Sequence, residues 1–382
     1  MKILIFLLRW ALPFLLITDL TSEVLRSEFI LNISRSIRVT MLILFIMENI
    51  RFYRIMRKFY FYNFFIFFIL FLFIYLLKDE NFTEGFWGYS KILFWVLGLN
   101  VLYAYNYKRF FILKDYIAVI KKIIIIGGIG TVFYFYFGNM EDEYNVFAYL
   151  ILFTIPSILF ASKHLEYNKL YILIAMFSIL ITFKRGAIIA MLISIIIYFL
   201  SNAMFRFNII KTLKFFVLGW MLLLIGYGYF GQQSDSVTSR YSVEQFDIEN
   251  ENAGSGRVGL YSNLFYEWYD SDVFVFSVGF GNQADLYRNE IGSRIHAHSD
   301  ILGFLYNYGI IGMLLILALY FKLIKFYIFH KKKSAKKDSI IIMVIFSILV
   351  PVNFYSGVFG STDALYLFAL LPYLQLDNNK NV

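Results

Sequence analysis

The chain has no cysteine, four histidines in 382 residues, and only 16% charged residues. Each shortage excludes a chemistry. Without cysteine there is no disulfide framework, no thiolate metal site and no thiol nucleophile. With four histidines, a reaction that needs a group titrating near neutral pH has few places to occur. His164 and His330 lie in short basic connectors, whereas His296 and His298 close a long polar segment. There is no Gly-rich phosphate loop followed by Lys, no G-x-S-x-G elbow and no Ser/His/Asp order. The net charge of +9 comes with no aromatic–basic RNA- or DNA-binding module. Nucleic acid is therefore not expected as a partner, and the excess Lys and Arg read as charge retained on the cytoplasmic side of a membrane.

What is abundant defines the class. Hydrophobic residues make up 60% and aromatic residues 21% of the chain, and the mean hydropathy is +0.67. A soluble domain of this length could not hide so much apolar surface, which points to an all-α polytopic membrane protein. A spanning helix needs roughly 20 apolar residues, fewer when its ends snorkel. Candidate spans are 3–18, 36–50, 59–77, 88–105, 116–137, 146–162, 169–183, 186–204, 215–230, 299–328, 339–356 and 364–376. The first is apolar around Arg9 and has no small-residue cleavage site, so it reads as a retained span rather than a removed signal peptide.

Loop charge orients these twelve. Connectors 51–58, 106–115, 163–169, 205–214 and 330–338 are rich in Lys and Arg. The alternate connectors read KDENFTEG (78–85) and GNMEDEY (138–144). Segment 231–298 holds ten Asp/Glu, four Arg and no Lys. Basic loops alternate with acidic ones, which places both termini in the cytoplasm and 231–298 outside as one large, partly helical loop. Residues 1–382 then form a single integral membrane domain. Lys184 and Arg185, in the connector ITFKRGAII, break the alternation by falling on the outer side. They read either as snorkelling anchors or as the grip on an anionic ligand at that face.

Within the long loop, Val258, Tyr261, Leu264, Phe265 and Trp268 are spaced for one helical face. Ser255 and Gly256 as an N-cap would put Arg257 in the first turn, where free N–H groups and the helix dipole favour an anion. A merely exposed Arg at a helix start fits equally. The run VFVFSVGFGNQ (273–283) reads as a short buried strand or an interfacial segment, closed by Gly279 and Gly281. His296 and His298, two apart, are expected in the turn that leads into the helix near Ser299. A metal grip by this pair lacks partners, since no third outward His and no D-x-D or H-E-x-x-H pattern accompanies it.

In order along the chain come KRGAIIAML, then GSGR with a Trp-bearing amphipathic helix, then GFGN, then HAHSDILGFLYNYGIIG. This order resembles the O-antigen ligase/polymerase family of bacterial membrane glycosyltransferases, over roughly residues 170–320. The family usually has Asn directly after the second His, where Ser299 and Asp300 follow His298 here. The resemblance implies a GT-C-like fold in the bacterial cytoplasmic membrane and no cofactor. The implied partners are an undecaprenyl-diphosphate-linked oligosaccharide donor, a glycan or lipid A-core acceptor, the bilayer, and a chain-length regulator protein. It further implies Arg185 and Arg257, with Lys184 beside them, on the diphosphate, and His298 as the base. His296, Asp300 and Arg294 stand as accessory candidates. The chemistry suits these side chains. Guanidinium forks neutralise a diphosphate leaving group without a metal, and a His near its reference pKa suits deprotonation of a sugar hydroxyl. Polymerisation of repeat units is the leading expectation and ligation to lipid A core the alternative. A lipid-linked oligosaccharide transporter is a third reading, but it should show internal repeats and mid-membrane charges rather than one large outer loop.

Overall fold

The computed structural model describes residues 2–25, 27–77, 82–137, 145–164, 169–182, 184–203, 253–282, 284–287, 297–333 and 336–377. Every regular element among them is an α-helix. The first half runs α1 (Lys2–Leu25), α2 (Glu28–Arg51), the single turn α3 (Tyr53–Met56), α4 (Tyr62–Leu76), α5 (Phe82–Tyr107) and α6 (Leu113–Phe137). Then come α7 (Asn145–His164), α8 (Lys169–Ile181) and α9 (Arg185–Ala203). After the long loop begins follow α10 (Ala253–Tyr269), α11 (Val273–Val278) and α12 (Ala284–Tyr287). The chain closes with α13 (Asp300–Lys333), α14 (Lys336–Tyr355), α15 (Ala364–Phe368) and α16 (Leu370–Asp377).

Helices occupy eleven of the twelve candidate spans; the ninth, 215–230, lies outside the described residues. Among the described residues, two helices are long and apolar enough to cross a membrane, Glu28–Arg51 and Asp300–His330. Six more apolar stretches are 10–17 residues long. Large apolar side chains such as Phe6, Trp10, Ile129 and Phe321 point outward, an exterior that water would penalise.

The helices pack as neighbours in sequence and across it: α1 on α2 and α6, α6 on α7 and α8, α9 along α14, and α13 along α14. The short helices α10, α11 and α12 all lie against α13. The interior is aromatic, with Phe61, Phe65, Trp95, Tyr103 and Phe326 essentially sealed. Trp95 stacks edge-on against Phe65 and donates its indole N–H to the Phe359 carbonyl at 3.1 Å, so the ring's one polar group is satisfied.

Three local expectations need correction. Residues 273–278 are a helix, not a strand. Asp272 caps it by accepting the Val275 N–H at 2.8 Å, and Val273 and Phe274 face outward. An apolar run this short carries no periodicity that separates the two states, so the cap decides. Helix α10 begins at Ala253, which puts Ser255 and Gly256 inside it and Arg257 in its second turn. His330 is part of α13 rather than a connector, and its Nε2 lies 2.9 Å from the Leu374 carbonyl in a buried setting.

Candidate functional site

The site is assembled around a break in α13. Gly309 adopts φ 63°, ψ −160°, so the helix loses its regular path there. A regular helix would satisfy the Tyr306 and Asn307 carbonyls from residues 310 and 311. Here the N–H groups of Phe280 and Gly281 reach them instead, at 2.9 and 3.0 Å. Backbone therefore meets backbone, and side chains must be missing. A Cβ on Gly279 (φ 78°) would lie 2.4 Å from the Asn307 carbonyl carbon and the Tyr308 nitrogen. One on Gly309 would lie 2.4 Å from the Ser277 carbonyl oxygen. The G-x-G after α11 and the glycine in YGIIG are two halves of one joint.

The joint sets up a polar clamp. The Asn307 amide donates to Asp285 Oδ1 at 2.8 Å, and its oxygen accepts the Asp285 N–H at 2.9 Å. The other carboxylate oxygen, Oδ2, accepts the Ala297 N–H at 3.1 Å. This fixes the residue before His298, which itself sits at φ 49°, a left-handed conformation that a non-glycine residue adopts only when held. From the other side, the Tyr261 hydroxyl of α10 lies 3.1 Å from the His298 carbonyl oxygen and 2.9 Å from that of Phe354, with one proton between them. Ser299 donates to the Asn353 carbonyl at 2.9 Å. The imidazole of His298 is left exposed at the wall of a cavity of about 1120 Å³.

Asp300, the first residue of α13, lines the same cavity. Its carboxylate accepts the N–H groups of Val358 and, at 3.1 Å, Phe359. It therefore anchors the 356–363 loop, whose Ser361, Thr362 and Asp363 also face the cavity. Burial raises the Asp363 carboxyl to about 6, against the lowering pull of Arg38 and Lys91.

A second part of the lining comes from α1, α2 and α5, and contributes Asp19, Arg35, Arg38 and Lys91. Arg38 pairs with Asp19 and donates to Ser34 Oγ at 2.6 Å. Sequence reading passed over these cations, although Arg38 and Lys91 fall inside candidate spans, where an ionisable side chain is a site candidate by default.

Of the expected site residues, the structure brings His298 and Asp300 to one cavity. Lys184 is not part of its lining; its ammonium lies 5.9 Å from the centre of the Tyr149 ring. Arg185 opens α9 and Arg257 sits in α10, but their side chains lie outside the described residues, as do Arg294 and His296.

An all-helical chain with membrane-capable helices and a histidine-bearing cavity at a helix break is thereby defined. A family model described as O-antigen ligase matches residues 170–317, the same stretch over which the motifs resemble the O-antigen ligase/polymerase family. The match takes in the Gly279–Gly309 joint, Asp285, Asn307 and His298. No curated protein matches the chain.

Proposed function

We propose that the chain is a multi-pass glycosyltransferase of the bacterial cytoplasmic membrane, with twelve spans and both termini inside. It takes a glycan from undecaprenyl diphosphate on the outer face and joins it to an acceptor hydroxyl, as a polymerase of repeat units. The observation that carries this reading is the cavity at which His298 is presented within the family-matched segment. Its lining supports the sidedness. It is built from the end of α1, the starts of α2, α5 and α13, and the turn after α14. The alternation of loop charge places every one of these ends outside.

In this mechanism His298 takes the proton of the attacking hydroxyl as the new C–O bond forms at the anomeric carbon. The bond from that carbon to the diphosphate breaks, and the developing negative charge falls to Arg185 and Arg257. The sugar–diphosphate bond supplies the free energy, so no nucleotide is required. The matched family's description as O-antigen ligase favours a second reading, transfer to a lipid A-core acceptor by the same donor chemistry.

The test is transfer from a synthetic polyprenyl-diphosphate-linked oligosaccharide by the purified chain. Growth of glycan on the donor supports the polymerase. Transfer only to lipid A core moves the assignment to ligase, and movement of donor across vesicles without transfer replaces both with a transporter. A single Cys at position 250, in a background with no native cysteine, should react with an impermeant reagent from outside; reaction only from the cytoplasmic side would invert the topology.

A further inference from the structure

The cation cluster that α2 and α5 contribute to the cavity is used by nothing in that mechanism. Arg35 and Arg38 are three apart on α2 and so share one face, and Lys91 reaches the same region from α5. Lys91 lies within electrostatic reach of both arginines and of Asp363. Three like charges brought together repel, and on the outer side they also run against the usual distribution of Lys and Arg. A fold keeps such an arrangement when something offsets it.

The offset inside the protein is incomplete. Asp19 pairs with Arg38 and Asp363 faces Arg38 and Lys91. Among the described residues Arg35 hydrogen-bonds only the Asn32 side chain, at 3.4 Å. Arg38 and Lys91 thus each face a carboxylate, and Arg35 is the guanidinium without one among the described residues; Asp285 and Asp300 also line the cavity, but they accept from the Ala297, Asn307 and Phe359 N–H groups. Glu28 lines the cavity as well, but stands two helical turns before Arg35, about 10 Å along the axis. Around the cluster the wall offers hydroxyls: Ser90 beside Lys91, and Ser361 and Thr362 beside Asp363. Hydroxyls together with a guanidinium fork suit a polyhydroxylated ligand that bears one carboxylate.

We propose that Arg35, Arg38 and Lys91 form a second anion subsite of the cavity, which takes the carboxylate of an acidic sugar in the glycan rather than the diphosphate of its carrier. Arg35 leaves one guanidinium fork without a carboxylate among the described residues, which matches a single carboxylate of the ligand. The subsite rests on the glycosyl-transfer reading only for what the carboxylate is attached to. It lies outside residues 170–317 and so would set which glycans this chain accepts without altering the step at His298.

The experiment measures binding of three probes to the full-length purified chain by calorimetry: tetragalacturonate, neutral maltotetraose and inorganic pyrophosphate. Arg38 is left intact because its ion pair ties α2 to α1. Arg35→Gln and Lys91→Gln should each weaken tetragalacturonate about tenfold, the scale of one lost hydrogen bond to a charged group. Pyrophosphate binding should stay within about twofold. Absent tetragalacturonate binding by the wild type, an unchanged affinity in both variants, or an equal loss for maltotetraose would overturn the subsite. A parallel loss of pyrophosphate would also overturn it and make the cluster the carrier site. His298→Ala should bind all three probes as the wild type does. If the wild type binds tetragalacturonate through Arg35 and Lys91 yet transfers no glycan from any polyprenyl-diphosphate donor, the transfer reading fails and the subsite stands.

Discussion

The two walls of the cavity are held in different ways. The wall that carries His298 is fixed by short-range, directional bonds: backbone pairing at the Gly279–Gly309 joint, the Asp285–Asn307 clamp and the Tyr261 bridge. On the wall that carries Arg35, Arg38 and Lys91, Arg38 is bonded to Asp19 and Ser34, but no comparable clamp holds Arg35 among the described residues. Hydrogen bonds fix a position within a few tenths of an ångström, whereas charges act over longer distances and tolerate displacement. On the proposed reading, one wall places a single imidazole and the other attracts an anionic group in varied poses. Substitutions on the first should change turnover or folding, and substitutions on the second should change which ligand binds.

The largest expected effect belongs to His298→Ala. On the proposed mechanism, loss of the general base lowers the rate by about 10²–10⁴-fold, and donor binding should survive because the diphosphate is assigned to Arg185 and Arg257 rather than to His298. Near-normal transfer by a well-expressed variant would leave the His298 wall without its chemical purpose.

Gly279→Ala comes next and acts on folding. At φ 78°, ψ 177° the backbone lies in a region open essentially to glycine, which costs a side chain about 1–3 kcal/mol before any clash. The added Cβ would meet backbone atoms of Asn307 and Tyr308 that cannot rotate away. A drop in Tm and in accumulated protein is expected. Gly360→Ala, with open space around its Cβ position, should leave both unchanged. Equal stability of the two variants would mean that the joint does not organise this wall.

Much of this architecture was legible in the sequence, for identifiable reasons. Apolar length placed helix in eleven of the candidate spans, because a helix buried among helices or facing lipid must be apolar along its whole length. The glycines of GFGN and YGIIG, and the turn at His298, could be picked out because glycine and a pre-helical histidine are local signals. What they do together was not legible. The pairing of residues 280–281 with carbonyls 306–307 joins segments separated by more than twenty positions, and nothing in either string names the other. Asp285 looked like one acidic residue among ten in its loop. Helix α11 was missed because five apolar residues in a run of six fit two periodicities. The cations of the other wall were readable in principle, since Arg38 and Lys91 interrupt apolar spans, but attention to loops passed over them.

Asp285→Asn tests the clamp more finely. The carboxylate accepts from both the Ala297 N–H and the Asn307 amide. An amide side chain offers one acceptor, so a donor would be turned against a donor on one side. We expect kcat to fall about tenfold, the scale of one unsatisfied buried group, with KM for the donor little changed. The exchange Asp285→Asn with Asn307→Asp should recover most of the loss. Residue 285 could then accept from Ala297 and donate to the new carboxylate. A double variant no better than Asp285→Asn would show that the negative charge at 285, rather than its bonding pattern, is what His298 needs.

The smallest effect should follow from Tyr261→Phe. The ring stays, and only the proton shared between the carbonyls of His298 and Phe354 is lost. Such a hydrogen bond contributes about 0.5–1.5 kcal/mol net. The His298 backbone is still restrained through Ala297 and Ser299, so the imidazole should drift without being released. A two- to fivefold fall in kcat is expected, with unchanged affinity for tetragalacturonate, because Tyr261 is not among the residues that line the cavity. A fall in that affinity of the same size would mean that the two walls move as one body, and the contrast between a positioned imidazole and an adaptable cation cluster would have to be abandoned.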